Sequence, residues 1–494
     1  MTSRDRERRA GTALRLALSI ALAIPGLAMS REQARAAASS DSEACASGRP
    51  EKMLPACSRI LQDEGRTAVE RAIALRNRGY AYQQRGDWDR AIADYDAALQ
   101  LGPSAARSEG VTARTLVNRG IAQAAKGDEA RAGADFGAAI AADPTLASAY
   151  INRASLALRA GNRAAALADL DAAARLSPDD AAVFATRGVL RSNSGDLQAA
   201  VADFSTAISL NPTDAAAWRN RGLTYQRLGD AARAEADAAE ALRLDPKIDG
   251  GHRTRGAALL ALGRSDLAIA EFGRAIDLNP TDAELSKVRG DAYLAAGARD
   301  LAIADFSRAI SLNANFRDAY NNRAVAYMQQ GDWALAVEDL GRAVVLDPGF
   351  IDGLLNRAQA LTMMGKAAPA LADYDRVVAL DPKRAMAFRG RAAIQQARGA
   401  YAAAVADYGR VLELEPNDAA SWRGRGVSHL RLGQVEPAIA DLSAAIALDP
   451  SDASAFQHRS IAYASKRDIA RATADDEAAV RLDPRLQKAV VRAP

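Results

Sequence analysis

The sequence predicts an all-α protein made of stacked helix-turn-helix units, and three observations predict it. A proline recurs at a fixed 34-residue step, at Pro144, Pro178, Pro212, Pro246 and Pro280 and again at Pro348, Pro382, Pro416, Pro450 and Pro484, with Ala314 on the missed beat. A glycine keeps the same step ahead of it, through Gly127, Gly161, Gly195, Gly229 and Gly263 to Gly433. Between these marks the chain is rich in Ala, poor in aromatics and alternates Arg with Asp, which suits helices edged by solvent. A fixed step of this length means supersecondary units stacked on their neighbours, so the 494 residues need not divide into ordinary globular domains.

Residues 1–36 stand outside the array. Arg4, Arg6, Arg8 and Arg9 precede an apolar stretch from Ala13 to Ala28, broken by Arg15 and Ser19, and small residues follow at Ser30, Ala34, Ala36 and Ala38. That order of basic, apolar and small segments predicts a secretory signal peptide, cleaved after Ala36 with Ser30 and Ala38 as competing sites. The apolar run is shorter than the ~20 residues of a membrane span, and an uncleaved anchor is the alternative. Arg8-Arg9 lacks the apolar follow-up of a twin-Arg signal. The expectation is a periplasmic or secreted protein with no stable membrane span after cleavage; without cleavage the chain would read as a cytoplasmic adaptor. The net charge of +3 sits in this leader, and the remainder is close to neutral. Nothing there calls for nucleic acid, which favours a basic surface.

Residues 37–65 hold the two cysteines, Cys45 and Cys57, on either side of Gly48-Arg49-Pro50. An even count in an exported chain predicts a structural disulfide between two short antiparallel helices, capping the array. Two unpaired small core residues are the alternative. Zinc is not expected, since no His lies nearby.

Residues 66–484 carry twelve copies of the unit, and residues 485–494 form a C-terminal tail. In the copy that starts at Ala215, Trp218, Arg221-Gly222 and Tyr225 fall on one helical face. Gly229 stops that helix and Asp230 caps the next. Ala234 and Ala241 mark the second helix, which ends before Pro246. The first helices offer a small residue to the second, as at Gly79, Gly120, Ala154, Gly188 and Gly290, and the second helices answer with Ala in every copy. A larger side chain at such a contact overpacks it, costing about 1–3 kcal/mol.

On these residues the chain resembles tetratricopeptide-repeat proteins. The motif stands here as Phe184, Gly188, Ala200, Phe204, Ala207 and Pro212, and again as Tyr320, Ala324, Tyr327, Ala336, Ala343 and Pro348. The resemblance implies a right-handed superhelical solenoid of helix pairs with a concave groove lined by the first helices. It also implies a non-catalytic scaffold that binds peptide or protein segments in that groove. One position departs from the family. Where an apolar residue is usual, every copy has Arg, from Arg78 and Arg119 to Arg425 and Arg459. Sixteen residues on stands an acid, from Asp94 and Asp135 to Asp441 and Asp475. The pairing predicts a ladder of partly buried ion pairs that sets register; matched acids argue against a stripe of Arg gripping an anionic polymer.

Three places break the rhythm. Seven extra residues separate the first two copies, around Ala105 to Thr112. Glu235, Ala238 and Gly250-Gly251-His252 replace apolar residues, which predicts weak coupling and flexibility over 235–255. Asp476 and Arg467 make the last copy polar, which predicts an end cap facing water.

By the family's geometry, inward-facing first-helix residues include Arg76 and Tyr80, a basic patch of Arg219, Arg227 and Arg253, an apolar stretch with Met328 and Met363, and a second basic patch of Arg389, Arg423 and Arg431. These are the candidate partner-binding residues; solvated arginine on a curved surface is the alternative. The Lys/Asn clamp for a C-terminal carboxylate is missing, because Tyr80 rather than Asn follows Arg76. No catalytic constellation is present: His252, His429 and His458 are scattered, and Gly365-Lys366 lacks the rest of a phosphate loop. No enzyme activity, metal or cofactor is therefore expected. An accessory subunit of an envelope polysaccharide or cell-wall assembly system and an unrecognised enzyme are the other readings.

Overall fold

A computed structural model describes residues 40–101 and 111–486. Among them the chain forms 26 helices and no strand, an all-α solenoid of helical hairpins. No helix there is long and apolar enough to cross a membrane. The expected signal peptide, most of the inserted stretch after Leu101 and nearly all of the tail lie outside the described residues. The chain divides into two compact units, Met1–Leu262 and Gly263–Pro494.

The first unit opens with the hairpin Ser40–Cys45 and Pro50–Gln62. Five helix pairs follow: Ala68–Gln84 with Trp88–Gln100, Val111–Ala125 with Glu129–Ala142, Ala147–Arg159 with Arg163–Leu176, Ala181–Ser194 with Leu197–Leu210, and Ala215–Arg227 with Ala231–Leu244. Helix Gly251–Ala261 ends it. The second unit starts with Ser265–Leu278 and continues in six pairs: Ala283–Ala295 with Arg299–Leu312, Arg317–Gln330 with Trp333–Leu346, Ile351–Met363 with Ala367–Leu380, Ala385–Ala397 with Tyr401–Leu414, Ala419–Arg431 with Val435–Leu448, and Ala453–Ser465 with Ile469–Leu482.

The turn chemistry is local. Each recurring turn glycine has a left-handed backbone, with φ between 72° and 89°, so a side chain there would be strained. Arg467 takes the same conformation, φ 62°, without being glycine. In several repeats the next residue caps the second helix: the Asp230 carboxylate accepts the Arg233 N–H at 3.0 Å, and Asp87 and Asp128 do the same in the first two repeats. The loop closing most repeats is an Asx turn, as where Asp143 accepts from Thr145 N–H at 2.9 Å. The first-helix aromatic then reaches back to that loop, Trp218 Nε1 donating to the Pro212 carbonyl at 2.9 Å.

Packing inside a repeat follows one rule of shape: the second-helix ring needs a glycine to lie on. A Cβ built on Gly79, Gly120, Gly188 or Gly290 would stand 2.6–2.9 Å from the ring of Tyr95, Phe136, Phe204 or Phe306. Where the first helix has Ala instead, Leu170 and Leu340 replace the ring and pack beside Ala154 and Ala324. Tyr374 and Tyr408 keep a ring opposite Ala358 and Ala392, and they lie instead over Gly390 and Gly424 of the following repeat, where an added Cβ would collide with them.

The N-terminal hairpin is built in the register of a repeat. Cys45 and Cys57 form a buried disulfide twelve residues apart, with Cα atoms 4.9 Å apart. Gln83 and Tyr95 have the same separation and are hydrogen-bonded at 2.9 Å. Gly48, φ 72°, stands where Gly86 stands. The Ser58 hydroxyl accepts from Arg78 Nη1 at 3.3 Å, as a residue of a preceding second helix would.

Two expectations about irregular places need correction. Asp476 does not face water; it is buried and accepts a hydrogen bond from Ser460 Oγ at 3.3 Å, because the small serine leaves room where other repeats place a ring or leucine. The 235–255 junction is closely packed. Glu235 accepts from Arg255 Nε at 3.0 Å across it, and a Cβ on Gly251 would stand 2.6 Å from Ile248 Cγ2. A polar tie and a closer backbone approach replace the missing apolar contacts.

Candidate functional site

The ladder decides which arginines are available. In eleven repeats the guanidinium grips the acid sixteen residues on with two parallel hydrogen bonds or an equally close contact, as in Arg119–Asp135, Arg289–Asp305 and Arg357–Asp373, at 2.6–2.8 Å. The acids are buried; Asp203 is 3 % exposed. The third nitrogen reaches the preceding repeat where that repeat has a partner: Arg187 to Asp171 at 2.8 Å, Arg221 to Ser205 at 3.0 Å, Arg391 to Asp375 at 2.6 Å and Arg459 to Ser443 at 3.0 Å. The neighbouring aromatic covers the guanidinium, Trp218 lying 4.9 Å from Arg221 and Trp422 4.8 Å from Arg425. Hydrogen bonding to Asp339 raises the Arg323 pKa further above its ordinary value, against the effect of burial. These arginines are committed to stacking and leave no free charge for a ligand.

The remaining first-helix residues differ from copy to copy. In the first unit, Tyr80 packs on the disulfide hairpin and Arg76 donates to its neighbour Asn77, at 3.1 and 3.3 Å. Arg219 is partly buried, and its Nε is enclosed without an acceptor. Burial lowers its pKa and the charge of Arg253 adds to this, with Asp249 opposing. Arg227 is exposed, yet its Nη1 donates to the Ser192 carbonyl at 2.5 Å and hydroxyl at 3.0 Å in the repeat before.

In the second unit the expected basic patch is largely neutralised. Arg389 pairs with Asp418 at 2.9 Å and with Glu415, and Arg423 pairs with Asp452 at 2.6 Å. Asp418 and Asp452 each stand at the start of the next first helix, which stacking brings beside these arginines. Arg431 is exposed. Met328 is partly buried against the Ala324–Leu340 core, whereas Met363 is 59 % exposed.

Several residues of this face carry no sequence signal. Arg114 has an enclosed Nε without an acceptor and no counterpart in other repeats, so periodicity could not single it out. Asn356 donates to Asn321 at 3.0 Å, Asn321 to Asn322 at 3.1 Å and Asn322 to Asp291 at 2.7 Å, a chain of amides that ends on a carboxylate and spans three repeats. Asparagine at one of these positions recurs in the sequence, but only the stacking shows which partners it meets. Among the described residues no group of His, Cys, Asp and Glu is arranged to hold a metal ion.

Solved structures similar to this chain include the Cut9-Hcn1 hetero-tetramer of APC/C (14 % identity, 84 % of this chain and 94 % of that one, TM-score 0.38) and yeast Tom70 (17 %, 81 % and 97 %, 0.38). Another is YrrB, described as a TPR protein with an unusual peptide-binding site (24 %, 37 % and 95 %, 0.33). No curated protein matches the chain. Family models described as tetratricopeptide repeat match residues 72–104, 147–180, 215–248, 254–282, 318–350, 389–453 and 423–486, and one described as TPR repeat matches 193–229 and 290–331. With its helix pairs, turn glycines and ring-on-glycine packing, the chain belongs to the tetratricopeptide repeat family.

Proposed function

We propose that this protein is a non-catalytic scaffold that binds peptide or protein segments on its first-helix face. One observation carries the reading: the recurring side chains are consumed in holding hairpins together, while the first-helix face varies between repeats and keeps polar groups without a partner among the described residues, Arg219 Nε among them. A surface that stacking does not require, and that is chemically different at each step, suits recognition of an extended or helical segment. Arg76, Tyr80, Arg219, Arg227, Arg253, Met328, Met363 and Arg431 are the residues assigned to it. The disulfide hairpin caps the first repeat, and with the leader it supports export to the periplasm or beyond.

Affinity capture from an envelope extract tests the reading, with wild-type protein beside the charge-reversed variant Arg219→Glu/Arg227→Glu/Arg253→Glu. The expected result is a bound set retained by wild type and depleted at least tenfold by the variant, with both proteins melting alike. Equal recovery of every bound protein would remove the basic patch from the assignment.

A further inference from the structure

Among the ladder arginines, each guanidinium fixed between helices has a carboxylate of its own. Arg76 and Arg114 break that pattern. They stand on the first helices of the first two repeats, Ala68–Gln84 and Val111–Ala125, which touch each other. Arg76 Nε and Nη2 both turn to a single amide oxygen, Asn77 Oδ1, at 3.3 and 3.1 Å. Arg114 Nε is enclosed by protein and meets no acceptor among the described residues. Around them, the Tyr95 hydroxyl is already committed to Gln83 Oε1 at 2.9 Å, and the disulfide hairpin lies beside Asn77, whose Nδ2 is 4.0 Å from Cys45 Sγ.

Among the described residues no carboxylate acts on Arg76. Burial comes first and the charge of Arg114 second, and together they push its pKa down to about 10. A desolvated guanidinium held near a second one is unfavourable unless an anion completes the arrangement, and the planar fork of arginine matches carboxylate and phosphate oxygens in pairs. We propose that Arg76 and Arg114 form an oxyanion-binding site between the first two repeats, taking a carboxylate or phosphate group. The site needs no extended peptide, so small anions test it separately from the scaffold reading.

The test is calorimetric titration of the full chain with inorganic phosphate and, separately, with acetate, at an ionic strength held constant with chloride. Arg76→Gln and Arg114→Gln are compared with wild type and with Arg131→Gln, whose arginine is an exposed surface residue paired with Asp128. Saturable binding of at least one anion is expected, at least tenfold weaker in the first two variants and unchanged in the third. Binding of phosphate alone assigns a phosphorylated ligand, and binding of acetate assigns a carboxylate. Melting in the absence of either anion supplies the second readout: Arg76→Gln melts no lower than wild type if its charge is uncompensated. No saturable binding of either anion, equal binding by all four proteins, or a marked loss of stability in Arg76→Gln would overturn the proposal.

Discussion

Arg323 holds Asp339 through two hydrogen bonds, Nε to Oδ2 and Nη2 to Oδ1, both 2.7 Å long, and its Nη1 reaches Ser307 of the preceding repeat at 2.9 Å. One side chain thus joins the two helices of its own repeat and the repeat before. The position is apolar in most of the family, so the ion pair stands where a hydrophobic contact would serve. Burying charges costs desolvation that the pairing roughly offsets, so the net gain in stability is small, while the geometry admits only one register.

Breaking a rung from one side should therefore cost far more than removing it. Asp339→Ala leaves Arg323 partly buried without its counter-charge and is expected to destabilise the second unit by about 3–5 kcal/mol. Arg323→Leu/Asp339→Leu should recover most of that loss. Urea denaturation of wild type, the single variant and the pair measures the difference. A double variant as unstable as the single one would show that the pair supplies net stability.

The displaced tyrosines supply a second prediction. Tyr374 lies over Gly390 rather than over its own first helix, which carries Ala358. Gly390→Asn restores the residue that the same helix position has at Asn322 and Asn356, and it should expel the ring, costing about 1–3 kcal/mol by overpacking. Tyr374→Leu added to it should restore stability, because Leu340 already sits opposite an alanine in this array. The coupling energy from the double-mutant cycle is the measurement, and additivity would contradict the shared site.

Arg467 gives a third. It holds the left-handed turn with φ 62°, where the other turns use glycine. An L side chain in that region costs about 1 kcal/mol, so Arg467→Gly should stabilise the last repeat by that amount. Thermal unfolding and slower amide exchange in residues 453–482 would show it. No gain would mean that the Arg467 side chain makes a compensating contact.

Sequence alone determined the unit, its step and its internal contacts. Helix starts and stops are local chemistry: a glycine that can turn left-handed, an Asp that caps, a proline that cannot continue a helix. The Arg–Asp ladder was legible because both partners recur with the same spacing, and Cys45–Cys57 because both stand in one short hairpin. Tertiary structure decided what depends on which repeat lies alongside. It neutralised Arg389 and Arg423 with the acids Asp418 and Asp452 that open the next first helix, buried Asp476 against Ser460, and tied Glu235 to Arg255. It also left Arg76 and Arg114 without a carboxylate among the described residues. The division has a physical cause. A periodic pattern reports interactions that repeat along the whole chain, whereas the charge balance of any one face is set by side chains that stacking brings together in one or two repeats.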